Sequence, residues 1–373
     1  MPRQTQAMKQ IAETIRREIE KSGVLPFARF MELALYCPES GYYETQKDSV
    51  GRRGDFYTSV STGELFGELL AFQFAGWLCE LEIQGSRFKI VEAGAHDGKL
   101  AKDILNWLQL NRPELFSRIE YVLLEPSPRR QEWQRETLKK FLPGVRWLND
   151  FETLKLKTQS SKLTGIIFSN ELLDAMPVRR LGWDAKIRKW FEWGVAVDGK
   201  KFVWAKIFGS IHDLTIQRFN DSQLESVLPD NYTIETSPAA ENWWREAANI
   251  LERGKLLTVD YGLTADELFS PARTNGTLRA YFKHHVTDDI LANAGEQDLT
   301  AHVNFSAIQK TGEEVGLKTE MFSTQTKFLT RILSKTQQDK SFGEWNASRT
   351  RQFQTLTHPE HLGRAFNVLV QSR

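Results

Sequence analysis

Cysteine is scarce in this sequence of 373 residues, which contains only Cys37 and Cys79. Two cysteines provide neither a disulfide framework nor a zinc site, so we predict no metal centre. Their small number fits a reducing compartment, and we expect a cytoplasmic protein.

A surplus of charge of one sign is also absent, since 49 basic and 48 acidic residues give a net charge of +1. This balance gives no electrostatic reason to expect a nucleic acid or an acidic membrane surface as partner. Apolar runs stay below the ~18 residues of a transmembrane helix, so no membrane insertion is expected. The hydrophobic content of 40% and charged content of 26% are typical of a soluble globular protein. Composition leaves the oligomeric state open.

The N-terminal segment is amphipathic, with Ile11 and Ile15 at helical spacing. Acidic residues come early in it, at Glu13, Glu18 and Glu20. Transit peptides contain few acids, so we interpret this segment as a solvated first helix.

Strand and helix patterns alternate between residues 88 and 174, and this alternation predicts a parallel sheet. Residues 178–235 instead show short alternating stretches with many tryptophans, typical of an antiparallel meander. We therefore predict an α/β fold with a doubly wound, mostly parallel Rossmann-like sheet, an N-terminal helical segment and a β-rich insertion. The expected parts are a helical region with a covering loop (1–82), the Rossmann-like core (83–177 and 236–330), the insertion (178–235) and a C-terminal extension (331–373).

The most informative stretch reads IVEAGAHDGKL, at residues 90–100. An apolar strand ends in Glu92, a loop with Gly94 and Gly98 follows, and a helical pattern then begins. Glycines let the backbone approach a ligand closely, and the start of a helix offers free N–H groups. A second strand ends in Glu125, where an acid can accept both hydroxyls of a ribose. The pattern indicates a nucleoside cofactor at the first turn of a doubly wound sheet.

The loop is neither a GxGxxG dinucleotide motif nor a P-loop, because its pattern is acid-x-Gly-x-x-x-Gly. An acid at the end of the first strand suits a cofactor that carries a cation, such as S-adenosylmethionine, better than one that presents a pyrophosphate. The alternative is an ordinary strand-to-helix turn that contains two glycines.

A second cluster, GDFYTS, includes Gly54, Asp55, Thr58 and Ser59. An acid beside glycine in an irregular loop, with hydroxyls nearby, suits a lid over a polar ligand. The alternative is a turn that the Asp55 side chain stabilises through its own backbone.

The segment SNELLDAMP follows the fourth predicted strand, at the edge of the sheet where ligands bind in open α/β folds. Glu171 and Asp174 are three residues apart, so a turn of helix would place both carboxylates on one side. Such a pair can hold a guanidinium by bidentate hydrogen bonds. The alternative is that Asn170 or Asp174 only caps a helix.

Further polar groups come later in the chain. Asp260 ends another apolar strand, and His284, His285 and His302 are candidate bases. For His285 we favour a structural role, and the roles of His284 and His302 stay open.

Seven segments, in this order along residues 25–330, resemble the MidA-like family of class I S-adenosylmethionine-dependent methyltransferases. They read GDFYTS, GELFGELLAFQF, VEAGAHDG, SNELLDAMPV, LLTVDYG, GTLRAYFKHH and DLTAHVNFSAI. Mitochondrial members of that family are complex I assembly factors, described as protein arginine methyltransferases. The resemblance therefore implies a protein substrate, with a respiratory complex subunit as one candidate.

The resemblance also implies roles for single residues. Gly54, Asp55, Thr58 and Ser59 would close over the cofactor. Glu92, Gly94 and Gly98 would line its methionine and ribose side, and Glu125 would bind the ribose. Asn170, Glu171 and Asp174 would face the transferring methyl group.

One departure from the family pattern matters. The family loop usually reads GPGRG, whereas this chain has GAHDG, with His96 in place of a small residue. A side chain there would crowd the site if the backbone needs a positive φ, or it would point outward. A methyltransferase acting on a protein arginine is thus the first hypothesis. A non-catalytic assembly module and a small-molecule O- or N-methyltransferase are the alternatives.

Overall fold

The computed structural model describes residues 2–45, 58–81, 87–157, 162–209, 211, 227–282, 285–359 and 362–373. The helices are α1 (Pro2–Ser22), α2 (Phe27–Tyr36), α3 (Tyr42–Thr45), α4 (Leu65–Glu80), α5 (Lys99–Asn111), α6 (Pro113–Phe116), α7 (Pro128–Thr137), α8 (Phe151–Lys157), α9 (Pro238–Ile250), α10 (Ala265–Leu268), α11 (Phe305–Glu314), α12 (Gln325–Thr336) and α13 (Ala347–Thr357). Short 3₁₀ helices span Ser59–Thr62, Lys139–Gly144 and Lys340–Phe342.

The strands are β1 (Leu25–Pro26), β2 (Phe88–Ala93), β3 (Ile119–Leu124), β4 (Val145–Leu148), β5 (Leu163–Asn170), β6 (Arg179–Asp184), β7 (Lys189–Asp198), β8 (Lys201–Ile207), β9 (Thr233–Thr236), β10 (Leu251–Leu263), β11 (Arg279–Phe282), β12 (His285–Thr287), β13 (Asp298–Thr300), β14 (Val303–Asn304), β15 (Lys318–Thr324) and β16 (Phe366–Ser372). No helix in the described part of the chain is long and apolar enough to cross a membrane.

The chain divides into two compact units, each built from three segments. The accessory unit comprises Met1–Lys47, Asp174–Glu241 and Leu263–Ala307, and the core unit comprises Asp48–Leu173, Asn242–Gly262 and Ile308–Arg373. The division differs from the sequence expectation. Residues 58–81, expected in the helical region, group with the core, and so do residues 331–373. Residues 263–307, expected in the core, group with residues 1–47 and the insertion.

The core unit contains a large sheet in which seven strands follow the order β15-β16-β10-β5-β2-β3-β4. The five strands from β10 to β4 are parallel to one another, and β16 is antiparallel to both β10 and β15. This mostly parallel α/β sheet confirms the predicted fold class. The chain runs outward from β2 through β3 to β4 and then returns to β5 on the other side of β2. The direction of winding therefore reverses beside β2, at the kind of edge where open α/β sheets bind ligands.

One apolar core joins the sheet to helices on its face. Helix α4 is apolar on nearly every side, and its Phe74 ring lies 5.0 Å from the ring of Phe168 in β5. Phe342 and Val368, from the segment expected to be an extension, belong to the same core. Val368 lies on β16, an inner strand of the sheet with partners on both sides, and Phe342 lies in the 3₁₀ helix Lys340–Phe342.

The accessory unit contains the predicted antiparallel meander. Strands β6, β7 and β8 pair consecutively and antiparallel, and β9 returns to pair with β6. Residues 263–307 belong to this unit because their strands β11, β12 and β13 form a small sheet, whose Ala280 and Leu299 share a core with α1 and α2.

Candidate active site

The candidate site lies in the core unit, at the carboxyl ends of β2, β3 and β5. Strand β2 pairs in parallel with β3 on one side and β5 on the other, so the loops that follow the three strands emerge at one edge. This edge carries Glu92, Glu125 and Asn170, which the sequence analysis selected for the site.

The loop between β2 and α5 turns sharply through three residues of positive φ. Gly94 has φ +74°, His96 φ +46° and Gly98 φ +82°. A Cβ atom on Gly94 would come within 2.9 Å of the Leu172 side chain, so glycine permits the close approach of this loop to the segment after β5. Helix α5 begins directly after Gly98.

Glu92 is buried on the sheet beside Tyr121. The Tyr121 hydroxyl donates a hydrogen bond of 2.5 Å to Glu92 Oε2. Burial raises the pKa of the Glu92 carboxyl to about 8, the hydrogen bond from Tyr121 opposes this rise, and the carboxylates of Asp97 and Asp103 add to it. Glu92 is therefore largely protonated near neutral pH, and a cation placed beside it would favour its ionised form.

Glu125 is 1% exposed and receives donors from the protein itself. Its Oε1 atom accepts a hydrogen bond from the Ser127 amide and forms an ion pair with Arg130 Nη2, each at 3.0 Å. Gln134 Nε2 donates to Glu125 Oε2 and to the His96 carbonyl, both at 3.0 Å. Gln134 thus ties the glycine loop to the end of β3.

Sequence reasoning missed Tyr121, Arg130 and Gln134. Arg130 and Gln134 lie on α7, five and nine residues after Glu125, and Tyr121 precedes Glu125 by four residues. A search for polar side chains on the helix after Glu125 could have found Arg130 and Gln134.

His96 has a positive φ, in the left-handed region of the backbone map. This is the backbone conformation in which we expected its side chain to be able to crowd the loop. Its ring lies 6.3 Å from the Trp133 ring of α7, and its Nδ1 atom lies 4.0 Å from Asp97 Oδ1. The Nε2 atom is buried and has no hydrogen-bond partner among the residues that the structure describes.

The predicted helical turn over Glu171–Asp174 is wrong, because these residues form a bend in which Glu171 has φ +53°. The Glu171 amide donates to the Val259 carbonyl at 2.9 Å, and Asn170 Nδ2 donates to Glu171 Oε1 at 2.9 Å. The Asn170 Oδ1 atom is buried without a hydrogen-bond partner in the described residues.

Asp260 holds the bend after β5 in place. Its Oδ2 atom accepts hydrogen bonds from the amides of Leu172 and Leu173 at 3.1 and 2.8 Å, and its Oδ1 atom accepts one from the Tyr261 amide at 2.9 Å. The fully buried Asp260 carboxylate therefore shapes the segment that carries Glu171.

Asp174 belongs to the accessory unit, where it is buried and its carbonyl accepts a hydrogen bond from the Ala301 amide at 2.9 Å.

In the same unit the Tyr43 hydroxyl donates to Asp298 Oδ1 at 2.8 Å. Burial raises the pKa of Tyr43 well above its ordinary value, and Asp298 and Asp174 add to this rise.

The proposed covering loop is described only in part, since Gly54 and Asp55 lie outside the described residues. The Thr58 side chain accepts a hydrogen bond from the Ser61 amide at 3.2 Å, which caps a short 3₁₀ helix. The Ser59 hydroxyl is fully buried and donates to Gln325 Oε1 at 3.0 Å. Both hydroxyls thus have structural partners within the core unit.

Of the two candidate histidines that the structure describes, His302 is the more buried. Burial, with smaller contributions from Arg279 and Arg273, lowers the pKa of His302 to about 4, so the ring is neutral near pH 7. His285 is exposed on β12, and His284 lies outside the described residues.

Comparison with known proteins gives the family context of this site. A family model described as "Putative S-adenosyl-L-methionine-dependent methyltransferase" matches residues 69–323. A Burkholderia thailandensis protein, solved bound to S-adenosyl-homocysteine, is 31% identical with a TM-score of 0.84, over 100% of this chain and 94% of that one. Drosophila melanogaster "Protein arginine methyltransferase NDUFAF7 homolog, mitochondrial" is 28% identical over 82% of this chain and 70% of its own length. The Mus musculus protein arginine methyltransferase NDUFAF7, also mitochondrial by name, is 28% identical over 79% of this chain and 68% of its own.

Proposed function

This chain belongs to the family of S-adenosyl-L-methionine-dependent methyltransferases, and from that premise we propose that it methylates an arginine side chain of a partner protein. The names of the fly and mouse relatives support an arginine acceptor. The single structural observation that carries the proposal is the Glu171 carboxylate, held by Asn170 at the carboxyl end of β5.

The residues at this edge fit the cofactor. Glu92 is a buried acid whose described hydrogen-bond donor is the hydroxyl of Tyr121, and a positively charged ligand group would compensate its ionised form. The Oδ1 atom of Asn170 is a buried acceptor without a described partner, which suits a donor on a ligand. Glu92, Gly94 and Gly98 would hold the methionine side, and Glu125 would bind the ribose.

When bound, S-adenosylmethionine supplies a methyl group on a sulfonium, which is open to in-line displacement. The protein has to align the acceptor nitrogen and to orient its charge. An arginine side chain is protonated near pH 7, so a carboxylate is needed to hold it and to accept a proton as the new bond forms. Glu171 would serve this purpose, because the hydrogen bond from Asn170 fixes one of its oxygens.

The test of this role is Glu171→Gln, which keeps the size of the side chain but removes its charge. We expect methyl transfer to fall by about 10²–10⁴-fold, with cofactor affinity and melting temperature unchanged. Glu136→Gln, at a side chain that is 72% exposed, is the matched control and should leave methyl transfer, cofactor affinity and melting temperature unchanged. Normal turnover with a lowered melting temperature would assign Glu171 to the scaffold and would contradict the proposal.

The acceptor can be identified with S-adenosylmethionine that carries a labelled methyl group. The enzyme is incubated with a cell lysate, and the labelled peptides are sequenced by mass spectrometry. Label on arginine supports the proposal. Label on another residue type, or in the small-molecule fraction, contradicts it. We include a respiratory complex subunit among the proposed acceptors. We also propose a cytoplasmic location for the enzyme, which cell fractionation would check.

One observation favours a second candidate, a binding module without catalysis. His96 places a ring in a loop of positive φ where a small residue would leave more room for a cofactor. Calorimetric titration distinguishes the two. Micromolar binding of S-adenosylmethionine supports the enzyme, and no binding near ~1 mM supports the module.

A further inference from the structure

Strand β15 forms one edge of the large sheet in the core unit. It pairs with β16 through residues Lys318 to Thr324, and in the described part of the chain no strand pairs with its other side. An open edge of this kind can accept an extended peptide as an added strand through main-chain hydrogen bonds. The register shifts between Thr319 and Met321, which leaves Met321 to Thr324 as a regular stretch.

A groove runs between this edge and helix α12. Its volume is about 580 Å³, and it is lined on the strand side by Met321 and Phe322 and on the helix side by Thr326, Lys327 and Arg331. Met321 and Phe322 are only half-buried. The groove thus offers apolar contact beside an open strand edge.

The helix side of the groove is basic. Helix α12 has the sequence QTKFLTRILSKT and contains no acid. Lys327 and Arg331 are exposed and line the groove, and the described residues place no acid in an ion pair with either. The one acid in the lining, Glu320, already accepts a hydrogen bond of 2.6 Å from Lys255 Nζ. The groove therefore presents two cations for which the described residues provide no ion-pair partner.

The spacing of these cations matches a strand. Lys327 and Arg331 are four positions apart on the helix, which is ~6 Å along its axis. Alternate residues of an extended peptide face the same side and are ~7 Å apart. Acidic side chains at alternate positions of an added strand could therefore meet both cations.

We propose that the edge of β15 and the basic face of α12 bind an extended acidic segment of a partner protein as an added strand. Its acidic side chains, at alternate positions, face Lys327 and Arg331. This docking site is separate from the methyl-transfer chemistry and does not depend on the identity of the acceptor.

The test uses the full chain and a fluorescein-labelled peptide of seven residues in which glutamate and valine alternate. We expect fluorescence anisotropy to show binding, and Lys327→Glu with Arg331→Glu to weaken it by more than tenfold. Lys139→Glu with Lys340→Glu makes the same change of charge at two exposed lysines outside the groove and should leave binding unchanged. A lysine-valine peptide should not bind. Equal binding by both double variants, or no binding of the acidic peptide near ~1 mM, would overturn the proposal.

Two N-methylated versions of the acidic peptide test strand addition itself. Methyl groups on one set of alternate amides should abolish binding, and methyl groups on the other set should spare it, because an added strand uses one side of its backbone. Equal binding by both versions would rule out an added strand. Sedimentation of the protein alone tests whether a second copy of the chain occupies this edge. A wild-type dimer that dissociates in the Lys327→Glu, Arg331→Glu variant would assign the edge to a second copy and would contradict a partner peptide.

Discussion

The hydroxyl of Tyr121 donates a hydrogen bond of 2.5 Å to the carboxyl of Glu92, and both side chains are buried in the core unit. This contact joins neighbouring parallel strands at the edge where we place the cofactor. Because burial raises the pKa of Glu92 to about 8, we expect cofactor binding at this edge to depend on pH.

A positively charged ligand favours ionised Glu92, so binding below about pH 8 should release a proton. Affinity for S-adenosylmethionine should rise by up to about tenfold per pH unit from pH ~6.5 and level off above the pKa. Tyr121→Phe removes a hydrogen bond that lowers this pKa, so the plateau should move to higher pH. Calorimetry at several pH values measures both effects, with Tyr232→Phe of the accessory unit as control. A flat wild-type profile would count against the assignment of Glu92.

The same carboxyl should make the free energy of unfolding depend on pH. Its pKa is raised from an ordinary value of 4.5, which we take for the unfolded chain, to about 8 in the folded protein. Its stabilising contribution is therefore complete below pH 4.5 and is lost as the pH rises through about 8. Glu92→Gln removes this titration. As the pH rises between these limits, the free energy of unfolding of the variant should increase relative to that of the wild type by at most about 1.4 kcal/mol per pH unit. Urea unfolding across this range is the measurement, and a constant difference between the two proteins is the contrary result.

Glu125 is expected to bind the ribose hydroxyls. Glu125→Ala would remove every acceptor that this side chain offers to the largely buried Arg130, whereas Glu125→Gln keeps an oxygen that can accept its hydrogen bond and is therefore the cleaner change. We expect affinity for adenosine to fall by about 10–100-fold, the value of a charge-assisted hydrogen bond of roughly 1.5–3 kcal/mol. The variant should bind adenosine and 2′-deoxyadenosine more equally than the wild type does. If both proteins discriminate equally, the ribose assignment fails.

His96→Gly tests whether the unusual loop obstructs the cofactor. Glycine adopts φ +46° without strain, and the contact with Gln134 uses the His96 carbonyl, which the variant keeps. Cofactor affinity should therefore stay within about threefold. An increase above about tenfold, or roughly 1.4 kcal/mol, would show that the ring occupies the pocket and would support the module without catalysis.

The features that the sequence predicted are those with local causes. Strand β2, its glycine turn and helix α5 follow from an apolar run, two glycines and a helical repeat within about twenty residues. The bend at Glu171 is held by a distant residue, since Asp260 accepts hydrogen bonds from the amides of Leu172 and Leu173, 88 and 87 positions away. No local pattern in SNELLDAMP reveals these contacts.

Distant partners also determine the surroundings of Ser59 and of the C-terminal residues 331–373. The neighbours of Ser59 in the sequence predict a cofactor lid, and they give no sign of its hydrogen-bond partner Gln325, 266 positions later. The residues of β16 form an apolar run whose pairing partners, β10 and β15, only the folded chain shows.

The inner position of β16 has a consequence for how the protein is made. Strands β10 and β15 are translated before residues 366–372, so the nascent chain carries two strands with the place between them unfilled. Until β16 emerges from the ribosome, both strands expose unpaired backbone N–H and C=O groups that could pair with a neighbouring nascent chain. The contacts that close the sheet join distant parts of the sequence, which makes this step slow. Synthesis of residues 366–372, rather than of the glycine loop, therefore sets the moment at which the methyltransferase sheet can first exist.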